Sequence, residues 1–435
     1  MTTRKHIHIG LSVAPTWLMN DAWRRDDSNV ENVFSTDFFV EIAKRAEKAK
    51  IDFLFRPDTL FMKPEMIAGS PGFSSLDPTI QLAALAEHTS KIGLVTTAST
   101  TFYPPYIVAR QIQSLNILSK GRVGWNIVTS LDGNENFGIS EMPSSEDRYR
   151  QAAEFSDVVH KLWASYPSDA IIADRESGTY GTPDALTQID HHGEFYDVAG
   201  PLNTPAFGNG KVPLFQAGAS PAGRDFAASV AHAIFAATPD PEVARELRSD
   251  LRERAASKGR DPDDIRILPG LNMYLAPTRE EAREIFAQTH ARMDPRRMIA
   301  KVKELIALDL TDHPMEARVT ADMLPPADTV VRSKTHGDLV RRLIERDQPT
   351  VEDLLTRPEV MGSSHWIVVG TPEDAVNEIA AWADINAGDG IIALPSGSHQ
   401  SVELFLDQVV PGLQERGLFR TEYSGHTLAD HLGIK

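Results

Sequence analysis

Along the chain, short runs rich in Val, Ile and Phe alternate with longer segments whose apolar residues recur at helical spacing. This is the pattern of parallel β/α units, whose strands are buried on both faces and read as continuous apolar runs. The runs predict strands at 6–13, 51–57, 91–99, 122–129, 212–217, 232–237, 265–275 and 390–394. Helices are predicted at 36–49, 77–89, 106–119, 148–165, 221–231, 240–258, 279–292 and 371–385, with a last one near 400–416. Ser220-Pro221 and Thr371-Pro372 each set a capping side chain before a proline suited to the first helical position.

Eight strands, each trailed by a helix, predict an α/β fold of the (β/α)8 TIM-barrel type with several insertions. An open doubly wound sheet usually has fewer strands. Residues 1–435 are expected to form one barrel domain, with insertions near 59–76, 166–210 and 293–370 and a C-terminal extension near 417–435. The insertions are rich in Pro, Gly and polar residues and are too long for plain connections. In such a barrel the site lies at the carboxyl ends of the strands.

Four strand ends carry candidate chemistry. Asp58 follows Phe55-Arg56-Pro57, where a carboxylate positions a ligand, serves as acid or base, or simply closes a loop on backbone N–H groups. The third strand ends in hydroxyls from Thr96 to Thr101, which either face a polar ligand or reflect the β-propensity of Thr. On the fourth, alternation turns Gly124, Asn126 and Val128 to one face and Trp125 and Ile127 to the other. An inward Asn126 amide needs a ligand or a neighbour as partner, or it costs about 1–3 kcal/mol. The fifth runs into Gly218-Ala219-Ser220-Pro221-Ala222-Gly223. Small residues before a helix start, with its free N–H groups, suit a phosphate, although a plain capped helix looks the same.

Composition narrows the classes. Lys plus Arg number 44 against 61 Asp plus Glu, a net charge of −17, so no nucleic-acid partner is expected. The absence of Cys removes disulfides, thiolate nucleophiles and Cys-based metal sites, and fits a cytoplasmic location. No stretch approaches 18 apolar residues, so no membrane span is expected. There is neither a dinucleotide fingerprint nor a Walker loop. No metal is expected either: His191 and His192 point to opposite faces of a hairpin, and His6 and His8 share a strand face without a third ligand.

The segments FLFRPD (53–58), FYPPYIVARQ (102–111), GRVGWNIVTS (121–130), NFG (136–138), DRYRQAAEFSDVVHKLW (147–163), HHGEFYDVAGPLNTP (191–205), QAGASPAGRDFAA (216–228), VGTPEDA (369–375) and DQVVPGLQERGLFRTEYSGHTLADHLG (407–433) stretch over nearly the whole chain. Together they resemble the flavin-dependent bacterial-luciferase-like monooxygenases. Within them they are similar to the branch of nitrilotriacetate, EDTA, dibenzothiophene-sulfone and long-chain alkane monooxygenases.

The resemblance implies a barrel that binds reduced FMN delivered by a separate NAD(P)H:flavin reductase, and that uses O2 to oxygenate a small organic substrate. A homodimer or homotetramer is implied as well. By position, Asp58, Thr101 and Asn126 would contact the ring or ribityl chain, Tyr149 the ribityl or phosphate, and Ala219 and Ser220 the phosphate. Trp17, Asn20, Phe61 and Lys63 would border the substrate. The chain departs from relatives at Ser145, where a His is frequent, and at Lys63, where the alkane-oxidising relatives use an aromatic residue. No catalytic residue is assigned. The alternatives are a deazaflavin-dependent oxidoreductase and a non-catalytic flavin-binding protein. The insertions at 59–76 and 293–370 are expected to serve as lids, or else are merely longer loops.

Overall fold

The computed structural model describes residues 6–71, 74–208, 210–218 and 220–434. Its central sheet is a closed parallel barrel. The strands are β1 (His8–Ser12), β2 (Phe53–Arg56), β3 (Gly93–Ser99), β4 (Val123–Val128), β5 (Leu214–Gln216), β6 (Ala233–Ala236) and β7 (Arg266–Leu275). After β8 (Trp366–Gly370) comes β9 (Gly390–Pro395). Neighbours pair in the order β1 to β7, then β9, which returns to β1. The closure of β6 on β7 runs from Ala233 and Arg266 to Ala236 and Pro269.

All eight expected strands are present. The one further strand of the barrel sheet is β8, which lies within the stretch expected as insertion and adds to the outer half of β7, pairing Trp366 to Gly370 with Leu271 to Leu275. Because β7 runs on past its pairing with β6, its far half offers a free edge, which β8 covers.

The helices follow the sequence pattern. α1 (Thr36–Lys48), α2 (Pro78–His88), α3 (Pro105–Leu118), α4 (Ser145–Ala164), α5 (Pro221–Val230), α6 (Pro241–Ser257) and α7 (Arg279–His290) surround the barrel. Most start on a side-chain cap, such as Ser35 for α1, Asp77 for α2 and Asp240 for α6. The 293–370 stretch, expected as an insertion, contains α8 (Pro295–Ile306), α9 (Lys334–Asp347), α10 (Val351–Thr356) and α11 (Pro358–Met361). Their amphipathic faces meet each other: Ile299, Val302, Ile306, Val340, Leu343 and Leu354 form a buried cluster of their own. Finally, α12 (Pro372–Asp384) starts on the Thr371 cap before β9.

Inside the barrel, alternate residues form a compact apolar plug. Phe53, Phe55, Val95, Phe215, Leu268 and Ile392 share it with Leu428 and Leu432 of the last helix, Leu428–Leu432. The Phe53 and Phe215 rings meet edge to face at 5.0 Å. The C-terminal segment thus closes the barrel from its amino end. Gly124 leaves space for it, since a Cβ there would lie 2.8 Å from Leu428 and 3.1 Å from Val95. With the amino end filled, the open mouth lies at the carboxyl ends of the strands.

Candidate functional site

At the mouth, β2 passes into Asp58. This carboxyl is half-buried; burial raises its pKa, repulsion by Asp77 adds to that, and the Thr59 N–H and Arg56 oppose it. Burial, with Asp58 and Asp77 near by, also pushes the Tyr103 phenol up to about 12. On the next two strands Thr97 and Asn126 are register partners. The Asn126 Nδ2 donates to Thr97 Oγ1 at 2.9 Å, and Thr97 Oγ1 donates to the Arg56 carbonyl at 2.7 Å. That satisfies half of the Asn126 amide. Its Oδ1 is buried without a partner among the described residues, and so is Thr101 Oγ1.

The strip continues at β5, whose Gln216 was not singled out from sequence. The reasoning applied to Asn126 would have found it, since it is an amide within a short buried strand. Gln216 Nε2 donates to the Tyr149 hydroxyl at 3.5 Å, while its Oε1 is buried and unpaired among the described residues. Tyr149 reaches over from α4 and lies against glycines. A Cβ on Gly218 would overlap the Tyr149 hydroxyl, and one on Gly223 would come within 2.6 Å of it. Ser220 Oγ accepts the Gly223 N–H at 3.2 Å as the cap of α5, which leaves its own O–H free to donate outward. Ala219 lies outside the described residues. Ser145, at the departure from relatives, opens α4 behind its cap Ser144.

Across the mouth lies a cavity of 190 Å³ between β1, β7 and the end of the 293–370 insertion. Ser12, Thr16 and Asn20 form one wall, and Asn272, Tyr274, His290 and His365 face them. Burial holds both histidines below their ordinary pKa, His365 at about 4. Asn20 lines this cavity. Trp17 does not: it is 2% exposed, donates from Nε1 to the Ser28 carbonyl at 3.0 Å and packs against Phe38 and His399. Its large apolar ring is turned inward to the helix layer, so the structure assigns it to the core.

A family model for luciferase-like monooxygenases matches residues 16–387. The chain belongs to the luciferase-like monooxygenase family. It is 36% identical to N-acetyl-S-(2-succino)cysteine monooxygenase of Bacillus subtilis (strain 168), covering 99% of this chain and 97% of that one. It is 34% identical to nitrilotriacetate monooxygenase component A of Aminobacter aminovorans, covering 100% and 98%. A crystal structure of riboflavin lyase with modified FMN and riboflavin superposes with a TM-score of 0.83 at 30% identity, over 99% of this chain and 96% of that one. The protein is a flavin-dependent monooxygenase.

In this luciferase-like monooxygenase the rim of the mouth is bridged by charged side chains. Arg332, which precedes α9, pairs with Glu304 at 2.9 Å and with Asp132 at 3.4 Å, and lies 6.0 Å from the Phe61 ring centre. Lys63 pairs with the same Asp132 at 3.8 Å. Asn136 ties the loop after β4 to the Leu60 carbonyl at 2.9 Å. Phe61 and Lys63 thus stand on the outer rim, where the insertions at 59–76 and 293–370 meet. Among the described residues no group of three or more His, Asp or Glu is placed to hold a metal ion. No helix there is long and apolar enough to cross a membrane.

Proposed function

We propose that this chain is the oxygenase component of a two-component system that takes reduced FMN from a separate NAD(P)H:flavin reductase. The observation that carries this reading is the strip of buried polar atoms without partners at Thr101, Asn126 and Gln216, leading to the capped start of α5. A buried polar atom left unpaired costs about 1–3 kcal/mol, so a strip of them marks a surface built for a ligand rich in donors and acceptors. An isoalloxazine ring with its ribityl chain and phosphate has that chemistry. The name "component A" of the nitrilotriacetate relative supports a partner reductase.

Reduced FMN, when bound, supplies the electrons with which O2 places one oxygen atom on an organic substrate while the other leaves as water. The chain's own residues bind and orient. Asn126 Oδ1 would accept from a ring N–H, while Thr101 and Gln216 would answer polar atoms of the ring and ribityl chain. The Ser220 O–H and the positive end of α5 would hold the phosphate, with Tyr149 beside it. Asp58, less acidic than an ordinary carboxyl, would border the ring. The insertions at 59–76 and 293–370 exclude water.

Anaerobic titration tests the cofactor. Reduced FMN is expected to bind tightly and a deazaflavin weakly; the reverse would turn the reading toward a hydride-transferring oxidoreductase. Oxygen consumption with an added flavin reductase and candidate substrates then tests the reaction, and the absence of an oxygenated product from all of them would favour a flavin-binding protein.

A further inference from the structure

We propose that Tyr196, held in place by Glu154, is a positioning residue for the cofactor site: its hydroxyl fixes the peptide that carries Thr101. This rests on the flavin reading above, in which Thr101 meets the ring or ribityl chain. It brings the 166–210 insertion into the site, although none of its side chains faces the strip of unpaired polar atoms.

The contacts begin on α4, the helix that also carries Tyr149. Glu154, on the same helix, organises a whole turn of the insertion. Its carboxylate accepts the N–H groups of Glu194 at 3.1 Å, Phe195 at 3.0 Å and Tyr196 at 2.9 Å, and His191 Nε2 lies 3.0 Å from Oε1. Burial works against the charge, yet the hydrogen bonds from His191, Phe195 and Tyr196 prevail and hold the carboxyl below its ordinary pKa. Gly193 permits the close approach, since a Cβ there would collide with the Glu154 carboxylate. The turn joins two short strands, pairing His191 with Val198 and His192 with Asp197.

Tyr196 is thereby set against the end of β3. Its ring meets Phe155 edge to face at 5.6 Å, and its hydroxyl accepts from Gln151 Nε2 at 2.8 Å. The one phenolic proton is donated to the Thr100 carbonyl at 3.3 Å. Burial pushes the phenol up to about 12, so it keeps that proton at neutral pH. On the other side of the same peptide, the Thr101 N–H donates to Ser99 Oγ at 3.2 Å, and Ser99 Oγ lies 2.8 Å from Ser130 Oγ. A peptide unit is planar, so holding both its C=O and its N–H fixes the plane and the direction in which the next side chain leaves. That side chain is Thr101, whose Oγ1 is buried without a partner among the described residues. Thr101, Gln151 and Tyr196 also line one cavity of 620 Å³.

Tyr196→Phe removes the hydroxyl and keeps the ring against Phe155. Two measurements test it: titration with oxidised FMN followed by flavin fluorescence, and hydrogen–deuterium exchange of the 99–103 backbone in the chain alone. Thermal melts of the same preparations accompany both. The variant is expected to bind FMN about 3- to 10-fold more weakly, the worth of one hydrogen bond, and to exchange faster at 99–103 with a nearly unchanged melting temperature. Glu154→Gln should shift both in the same direction. Ile189→Ala, which loosens the same insertion where it packs on the main core, should lower the melting temperature and leave FMN affinity as in the parent. Parent-like FMN affinity or exchange in Tyr196→Phe, or an equal loss of affinity in Ile189→Ala, would overturn the proposal. A parent that binds no FMN, with exchange still faster in Tyr196→Phe, would uphold the hold on Thr101 and overturn the flavin reading instead.

Discussion

Asn126 divides its amide between the protein and the ligand. Thr97 takes the N–H side at 2.9 Å, and the carbonyl side stays bare. Asn126→Ala should therefore weaken FMN binding by roughly 3- to 10-fold, the worth of one hydrogen bond, without unfolding the protein. Ser220→Ala should also weaken binding and, by removing a helix cap, cost about 0.5–2 kcal/mol of stability. Flavin fluorescence titration beside thermal melts checks both; parent-like affinity in both variants would remove these residues from the site. Asp58 adds a pH signature. Its pKa is raised in the folded state, chiefly by burial, so the folded protein holds that proton more tightly and ionisation at higher pH destabilises it. Asp58→Asn should accordingly raise the melting temperature more at pH 8 than at pH 4, while weakening FMN binding. A gain of equal size at both pH values would show that the carboxyl carries no such penalty.

At the scale of elements, the loop after β2, the loop after β4 and the α8–α9 insertion converge on Arg332 and Asp132. The pair is solvent-accessible at the rim, so its contribution to stability is small, about 0–1 kcal/mol. Its importance lies in joining opposite sides of the mouth. Arg332→Ala should leave the fold and the melting temperature nearly unchanged but raise the hydrogen peroxide formed per O2 consumed, because water reaches the site more readily. An unchanged peroxide yield would mean that the insertions do not act as a lid. The helices of the insertion stand on their own buried cluster, so the clasp acts between ordered bodies.

At the scale of the molecule, the last helix plugs the amino end of the barrel. Leu428→Ala should destabilise the protein by about 2–5 kcal/mol, because the plug has glycines on two sides and little freedom to collapse. Denaturant unfolding measures this, and a cost below about 1 kcal/mol would show that the tail is dispensable. Acid sensitivity also belongs to the whole fold. Burial holds His232 at about 3 and His365 at about 4. Both folded values lie below the unfolded one, so the neutral rings stabilise the fold above pH of about 6.5, and this is lost as pH falls toward the folded values. Melting temperature should drop between those limits, and His232→Gln should make the decline shallower. A parent-like slope in the variant would assign the acid loss to other groups.

The barrel was legible because its causes are local. Apolar runs of strand length, helical periodicity and caps such as Ser220 and Thr371 act within a few residues, and each predicted element formed. The inward turn of Asn126 followed from alternation alone, as did the small-residue start of α5. Other features depend on partners far along the chain. Trp17 could line a pocket or a core until its indole met Phe38 and the Ser28 carbonyl. β8 exists as a strand because β7 outruns β6 and exposes an edge. Asn272, His290 and His365 come together only when the barrel closes and the insertion folds back over it. Local physics wrote the strands and helices into the sequence. Which side chains face the mouth, and which of them lack partners there, was decided by tertiary packing, because burial and hydrogen bonding are properties of neighbours brought together by the fold.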